Sequence, residues 1–351
     1  MKKLISLVMS LVLLVCIFTA KSVSAYNNEE YKYELLNDGS IMITEYLGND
    51  SEVNIPSKID GKNVTAIEFN GRAYTKITEI TIPHTVTKVE GYVFSYMDDN
   101  FININVDKNN KKLCSIDGVL FNKKQTELIC YPHGREDKSY RVPEGVKVIG
   151  AYAFYLSNLN SIYLPDSVET IKYDAFYKSA NLTEIRMSKN LKTIESIAFA
   201  KTKIQKLFLP PSVKTVKSLA FGRSASTANA THKEPFVIYG YKNSYIHKYC
   251  KKHKIEFKVV DPAAPKKTMV IGAKGKITVN YKKVKKAKGF QVKAVSGKKK
   301  TVKIFKTKKP AMKSLKGMKK GTYKVKVRAF NTYNGEKIYG PWAKAKTVTV
   351  K

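Results

Sequence analysis

The sequence predicts a mainly β chain in which a solenoid of short stacked repeats precedes a second, strongly basic β-domain. Three observations predict this class. A thirteen-residue pattern recurs five times, at 82–94, 142–154, 164–176, 187–199 and 209–221. Apolar residues alternate with polar ones in several segments after residue 261, which is the period of a half-buried strand. The charge also changes abruptly near that position.

Residues 1–25 have the pattern of a secretory signal peptide. Two lysines precede an apolar run at 4–20, and Val23-Ser24-Ala25 has the small-x-small spacing of a cleavage site. An uncleaved membrane anchor is the alternative, but the run is slightly short of the roughly 20 residues that span a bilayer. We therefore expect a secreted protein, extracellular or associated with the cell wall, without a transmembrane segment after cleavage.

Each repeat copy predicts a strand, a turn and a buried aromatic ring. Pro and Phe are eleven positions apart in four copies, and Ser188 replaces Pro in the copy that ends at Phe199. Because strand side chains alternate in direction, two apolar residues in the strand before each Pro should point inward. A large ring that recurs at the repeat period should fill the same core layer in every coil. The predicted core contains Ile80, Ile82, Ile162, Leu164, Ile185, Met187, Leu207 and Leu209, and the rings of Phe94, Phe154, Phe176, Phe199 and Phe221.

Three segments depart from the repeat. Residues 53–67 look like a degenerate first copy, and 235–257 predicts a strand, a helix and a strand that close the solenoid as a cap. Phe94 and Phe154 are 60 positions apart instead of 22 or 23, so an insert is expected at about 101–141. It contains a predicted β-hairpin that turns near 123–125. This turn would place Cys114 opposite about residue 134, so we expect free cysteines, with the disulfide status of Cys114, Cys130 and Cys250 left open.

Charge and composition mark a domain boundary near residue 262. Residues 262–351 hold 27 Lys and one Arg against a single acid, Glu336, which gives +27 of the chain's net charge of +36. The segment Asp261-Pro262-Ala263-Ala264-Pro265 has the composition of a linker. We therefore predict a solenoid at 26–257, a linker at 258–267 and a basic β-domain at 268–351.

The repeats resemble a known family. Residues 159–176 read L-x-x-I-x-L-P-x-x-V-x-x-I-x-x-x-A-F, which is similar to the leucine-rich repeats of the BspA-like class. The insert sequence SIDGVLF at 115–121 and the cap with Tyr239-Gly240 also look like that class. The resemblance implies a leucine-rich repeat solenoid in a secreted or surface-exposed bacterial protein used for adhesion and protein binding. It implies no catalytic residues.

Residues 268–351 resemble a fibronectin type III or related immunoglobulin-like β-sandwich. Tyr281 lies where that family usually has Trp, and 318–323 resembles the turn before the family's tyrosine corner, with Tyr323 as the corner residue. Val325, Val327 and Ala329 then alternate on one face. A sandwich of this kind does not by itself imply a function.

The strand residues that point outward are the candidates for binding. Tyr163, Arg186 and Phe208 occupy the same outward position in successive repeats. Tyr, Arg and Phe are enriched at protein interfaces, so these three residues are the predicted binding stripe. Cross-strand packing that stabilises the sheet is the alternative interpretation.

The sequence contains no P-loop, dinucleotide-binding, H-E-x-x-H or EF-hand motif, so we expect no catalytic residue, no metal site, no cofactor and no enzyme activity. The expected partners of the solenoid are host or bacterial surface proteins. The charge of 262–351 predicts attraction to anionic wall polymers or glycosaminoglycans, which should weaken with salt. Nucleic acid is not favoured, because no recognition motif accompanies the charge. The alternatives are a structural spacer, an accessory domain of extracellular enzymes, a polyanion-binding protein, or general basicity without a specific partner.

Overall fold

The computed structural model describes residues 25–27, 29–69, 74, 76–222, 236–305, 312–333 and 335–351. The predicted signal peptide lies outside the described residues, except for Ala25. The chain divides into two compact units, one with the bounds Met1–Ile204 and Thr215–Lys233 and the other with the bounds Gln205–Lys214 and Glu234–Lys351. Both units consist mainly of β-strands.

The described strands are short, and most of them are two to six residues long. One α-helix, α1 (Tyr245–Lys252), and one 3-10 helix, Gly91–Tyr96, accompany them. In chain order the strands are β1 (Ala25–Asn27), β2 (Tyr31–Leu35), β3 (Ile41–Tyr46), β4 (Glu52–Asn54), β5 (Lys58–Ile59), β6 (Lys62–Ile67), β7 (Glu79–Ile82), β8 (Lys88–Val89), β9 (Asn103–Val106), β10 (Leu113–Ile116), β11 (Val119–Asn122), β12 (Glu127–Cys130), β13 (Ser139–Arg141), β14 (Val148–Ile149), β15 (Ser161–Tyr163), β16 (Thr170–Ile171), β17 (Glu184–Arg186), β18 (Thr193–Ile194), β19 (Lys206–Phe208), β20 (Thr215–Val216), β21 (Val237–Gly240), β22 (Glu256–Val259), β23 (Met269–Ala273), β24 (Lys276–Asn280), β25 (Gly289–Ser296), β26 (Lys299–Phe305), β27 (Lys313–Lys316), β28 (Gly321–Tyr333), β29 (Glu336–Tyr339) and β30 (Lys346–Val350).

Two rows of parallel strands run through the repeats of the first unit. The strands that precede the Pro positions form the sheets β4-β7-β9 and β13-β15-β17, and the short second strands form β12-β14-β16-β18-β20. In the β15–β17 pair, Ile162 lies opposite Ile185. Equivalent positions of successive repeats therefore stack on each other, as in a solenoid, and the mainly β repeat architecture predicted from the sequence is confirmed.

The predicted core residues are all buried, with at most 8 % of each side chain exposed. The repeat rings form a column in the first unit. Phe176 stacks on Phe154 with 5.2 Å between ring centroids and on Phe199 with 5.0 Å, with interplanar angles of 11° and 9°. The degenerate first copy is also confirmed as a coil, because Val53 lies opposite Ile80 in the parallel β4–β7 pair.

The predicted β-hairpin of the insert is present, because β11 and β12 pair antiparallel on either side of a turn at 123–126. Other strands of the insert at 101–141 join the solenoid sheets. Strand β9 pairs with β7, β12 pairs with β14, and β13 pairs with β15, all in parallel. The chain turns twice between β10 and β12, so Cys114 lies opposite Phe121 and not opposite residue 134 as the sequence predicted. Cys114 is half-buried and Cys130 is buried, and both thiols are free, as is that of Cys250.

In the second unit, β19, β21 and β22 form a parallel sheet, and α1 connects β21 to β22. The order of strand, helix and strand predicted for 235–257 is therefore confirmed, and the role of this segment as a cap stays a prediction. Ser244 caps α1, because its hydroxyl accepts a hydrogen bond of 3.2 Å from the backbone N–H of His247. The carboxylate of Asp261 accepts a hydrogen bond from the backbone of Lys242, so the segment predicted as a linker is bound to the cap.

The same unit contains two antiparallel sheets, β23-β24-β27 and β26-β25-β28-β29, with β30 paired to β28. Their inward side chains form one hydrophobic cluster. Tyr281 is buried there with its ring centroid 4.1 Å from that of Phe290. Tyr323 is also buried, and its hydroxyl donates a hydrogen bond of 2.9 Å to the carbonyl of Lys319 four residues upstream. These are the positions expected from the sequence, and the assignment to fibronectin type III stays a prediction.

Candidate binding surfaces

Tyr163 and Arg186 of the predicted binding stripe lie side by side on the sheet β13-β15-β17. The register places Arg141, Tyr163 and Arg186 directly opposite one another on three adjacent strands. The guanidinium carbon of Arg141 is 3.7 Å from the centroid of the Tyr163 ring, and that of Arg186 is 4.6 Å from it. Both distances are within the range of cation–π interactions, so the three side chains form one stack.

Arg186 is held in place by the preceding repeat. Its Nη1 donates hydrogen bonds to the carbonyl of Leu164, at 2.7 Å, and to Oδ1 of Asp166, at 2.8 Å. Burial alone would raise the pKa of Asp166, but the hydrogen bonds from the backbone of Lys189 and from Arg186 lower it below its ordinary value. The stack is therefore a fixed, partly exposed feature of the sheet, and its role in binding stays a prediction.

Phe208, the third residue of the stripe, lies on β19 in the second unit. Its register partner is Tyr239, and its ring centroid is 5.2 Å from that of Tyr333. Tyr239 also packs against Tyr333, at 5.1 Å. Phe208 is thus half-buried in an aromatic cluster of the second unit, and it does not belong to the hydrogen-bonded sheet that holds Tyr163 and Arg186.

A second surface of the first unit consists of tyrosines that follow the second strands of the repeats. Tyr152 lies 6.4 Å from Tyr92, 5.6 Å from Tyr155 and 5.7 Å from Tyr173, as measured between ring centroids. Tyr177 continues the group at 5.9 Å from Tyr155. Tyr173 has 39 % of its surface exposed, which is high for a large ring in a folded domain. We call these five residues the tyrosine surface.

Two lysines border the tyrosine surface. The Nζ of Lys178 donates a hydrogen bond of 3.1 Å to the hydroxyl of Tyr155 and lies 5.5 Å from the centroid of Tyr177. The Nζ of Lys201 also lies 5.5 Å from the ring centroid of Tyr177. The tyrosine surface was not predicted from the sequence, because the predicted binding residues all lie in the strand before each Pro. The available signal was the recurrence of Tyr two or three positions before, and one position after, the repeat Phe.

A buried carboxyl group lies beside the tyrosine surface. Asp174 is 4 % exposed, and its Oδ1 has no hydrogen-bond partner in the described part of the chain. Burial raises the pKa of this carboxyl, although the nearby hydroxyls of Tyr152 and Tyr173 act in the opposite direction. Its backbone is left-handed, with φ of 53°, a conformation that Asp tolerates better than most residues.

The ionisable groups of the described residues do not cluster as a metal centre would require. The described residues include no group of three or more His, Cys, Asp or Glu side chains that could hold a metal ion. A polar cleft of the first unit is lined by Glu79, Asp99, Arg135, Glu136 and Asp137. In it, Asp137 accepts hydrogen bonds from Tyr131 and from Arg135 at 2.7 and 2.8 Å. The described part of the chain contains no helix with the length and apolar composition that a bilayer crossing needs.

Comparison with family models decides the classification of the repeats. The model of the BspA type leucine rich repeat region matches six copies, over residues 49–133 and 130–254. The chain belongs to this family. The recognition of BspA-like repeats from the sequence is therefore confirmed, and membership fits a protein-binding role at the cell surface. A search of curated proteins found no match.

Several solved structures are similar to parts of this leucine-rich repeat protein. The pneumococcal vaccine antigen PcpA has 18 % identity and a TM-score of 0.36, and the match covers 68 % of this chain and 99 % of that one. A leucine rich cell surface protein from Faecalibacterium prausnitzii has 18 % identity and a TM-score of 0.35, with coverage of 62 % and 89 %. A leucine-rich repeat protein from Bacteroides ovatus has 20 % identity and a TM-score of 0.31, with coverage of 67 % of each chain.

Proposed function

We propose that this leucine-rich repeat protein acts outside the bacterial cell, secreted or associated with the cell wall, and binds host or bacterial surface proteins in an adhesin-like way through its solenoid. The tyrosine surface is the observation that carries the proposal. Tyr rings supply large contact areas at a low cost in side-chain entropy, and their hydroxyls add hydrogen bonds. Lys178 and Lys201 at its border favour a partner with an acidic rim.

The predicted stripe of Tyr163, Arg186 and Phe208 is a second candidate surface for the same function. The stack that Tyr163 forms with two guanidinium groups is already ordered, so a partner would not need to immobilise these side chains. A structural spacer, in which neither surface contacts a partner, is the alternative function.

We also propose that residues 262–351 attach the protein to anionic wall polymers or glycosaminoglycans. Support comes from the composition of this segment, which has 27 lysines and one arginine but only one acidic residue. Many weak contacts between Lys and anionic groups add up, although each exposed pair contributes at most about 1 kcal/mol. We propose no enzyme activity.

The binding proposal is tested with the double variant Y173A/Y177A of the full-length protein. Labelled protein is titrated onto cultured epithelial cells and onto whole bacteria, and its fold is checked by circular dichroism. If the tyrosine surface is the contact region, the loss of two hot-spot residues should weaken binding by about 2 kcal/mol or more, which is about 30-fold.

Tyr245 provides the matched control. It lies on α1 in the second unit and is 36 % exposed, which is close to the exposure of Tyr173. The variant Y245A should therefore bind within about twofold of the wild type. Equal losses in both variants, or no loss in Y173A/Y177A while the wild type binds, would contradict the role of the tyrosine surface. If no binding remains after the anionic polymers of the cells have been removed, the result would favour the spacer function.

A further inference from the structure

One face of the C-terminal sheet β26-β25-β28-β29 concentrates cations in rows. Val292 and Ala294 of β25 and Val325 and Val327 of β28 point into the hydrophobic cluster. The residues that alternate with them must point to the opposite face, because successive strand side chains alternate. We call this opposite face the basic track, and its cations are Lys293 on β25, Lys300 on β26, and Lys324, Lys326 and Arg328 on β28.

The register brings like charges together on the basic track. Lys293 lies directly opposite Lys326 in the β25–β28 pair, and the next row contains Val295 between Lys300 and Lys324. Like charges directly opposite in a sheet are destabilising. None of the described carboxylates forms an ion pair with Lys293 or Lys326. The repulsion is therefore not relieved within the described part of the protein, and a bound polyanion would relieve it.

Arg328 ends the basic track and is built differently from the lysines. Its guanidinium carbon lies 3.9 Å from the ring centroid of Tyr339 and 4.5 Å from that of Trp342. Its Nε donates a hydrogen bond of 2.7 Å to Oε1 of Gln291. Burial lowers the pKa of Arg328, although the nearby hydroxyls of Tyr339 and Tyr241 act in the opposite direction.

These contacts fix the plane of the guanidinium and leave its two Nη groups without a hydrogen bond to any described residue. The two Nη groups form a planar fork of N–H donors that matches the paired oxygens of a phosphate or carboxylate. Because the guanidinium is already held in place, less side-chain entropy is lost on binding. Along β28, Lys324, Lys326 and Arg328 follow one another at intervals of about 7 Å, since alternate strand residues are two rises apart. The line of cations suits a chain with one charge on each repeat unit.

We propose that the basic track binds a linear polyol phosphate polymer, with Arg328 as the receptor for one phosphodiester and the lysines as contacts for its neighbours. This inference rests on the proposed attachment of residues 262–351 to anionic polymers. It specifies the residues that make the contacts and the chemical class of the polymer. A phosphodiester presents two oxygens to the Arg328 fork while its other two oxygens continue the chain on both sides. Single-stranded nucleic acid is disfavoured, because it is bound by open aromatic faces, whereas Arg328 covers one face of each of the two rings here.

The test compares two pairs of lysines that differ only in location. K293S/K326S removes the facing pair from the basic track. K276S/K316S removes another pair of directly opposed lysines, which lies on β24 and β27 in the other sheet. The next pair on the same face of that sheet is neutral, because Thr278 lies opposite Ser314 and their hydroxyls form a hydrogen bond. The full-length protein and both variants are titrated with purified polyol phosphate teichoic acid, heparin, hyaluronan and single-stranded DNA at several salt concentrations.

We expect K293S/K326S to weaken teichoic acid binding at least about tenfold and to reduce the salt dependence, because fewer counterions are released. K276S/K316S should stay within about threefold of the wild type. R328K keeps the charge but loses the fork, so it should also weaken binding about tenfold with an unchanged salt dependence. Trp342 is the single Trp of the chain and lies against Arg328, so its fluorescence should change on titration with teichoic acid in the wild type.

The outcomes separate this inference from the broader proposal. Equal losses in the two double variants would show that binding follows net charge, which overturns the basic track but leaves attachment to polyanions intact. Binding of DNA, heparin or hyaluronan as tight as that of teichoic acid, with the same change in Trp342 fluorescence, would overturn the polyol phosphate assignment. If the wild type binds none of the four polymers at low salt, the attachment proposed for residues 262–351 is itself wrong.

Discussion

Replacing Phe176 by Ala should destabilise the first unit strongly. The Phe176 ring is fully buried and stacks on Phe154 at 5.2 Å and on Phe199 at 5.0 Å. Truncation of a buried Phe costs about 3–5 kcal/mol, and the loss of two stacked neighbours favours the upper part of this range. If the solenoid unfolds cooperatively, its thermal midpoint should fall by about 6–20 °C, since each kcal/mol shifts a unit of about 200 residues by about 2–4 °C.

The assay is urea and thermal unfolding of the full-length protein, followed by far-ultraviolet circular dichroism. The control F176L keeps most of the apolar volume and removes only the ring, so it should lose about 1–2 kcal/mol. Fluorescence of Trp342 reports on the second unit and shows whether that unit responds to the change. An unchanged midpoint for F176A, or equal losses for F176A and F176L, would refute the argument from the ring column.

Two further predictions concern the stripe and the pH dependence of stability. The variant Y163A/R186A should keep its fold and weaken binding of a ligand that requires the solenoid by about 2 kcal/mol, and unchanged affinity would exclude the stripe. Burial lowers the pKa of His133, although Asp98 and Asp99 act in the opposite direction, so the unfolded chain binds the proton more readily than the folded one. The free energy of unfolding should therefore be retained above about pH 6.5 and fall as the pH drops below it, and H133Q should remove this dependence between pH 7 and 5. An identical pH profile for wild type and H133Q would show that His133 is not the group responsible.

Local periodicity accounts for what the sequence predicted correctly. The recurrence of Phe at the repeat period placed the rings of Phe154, Phe176 and Phe199 in one core layer, and alternation in the strands identified the inward pairs. Both are properties of neighbouring residues in the chain, and stacking of identical units repeats them at every coil. The strand, helix and strand of 235–257 were predicted for the same reason, because each depends on a short segment with its own pattern. The positions of Tyr281 and Tyr323 followed instead from the resemblance to a fibronectin type III sandwich.

The tertiary structure decided which distant residues meet. The insert turns twice instead of once, so Cys114 pairs with Phe121, and its other strands join the solenoid sheets. The contact of Phe208 with Tyr333, more than a hundred positions away, could also not be read from the sequence.

The sequence by itself determined the repeat class, the strand faces and the excess of lysine in residues 262–351. Only the tertiary structure placed Lys293 opposite Lys326 and held Arg328 between Tyr339 and Trp342. The physical reason is that the direction of a strand side chain depends on local alternation, whereas its cross-strand neighbours depend on the register of strands that are far apart in the chain.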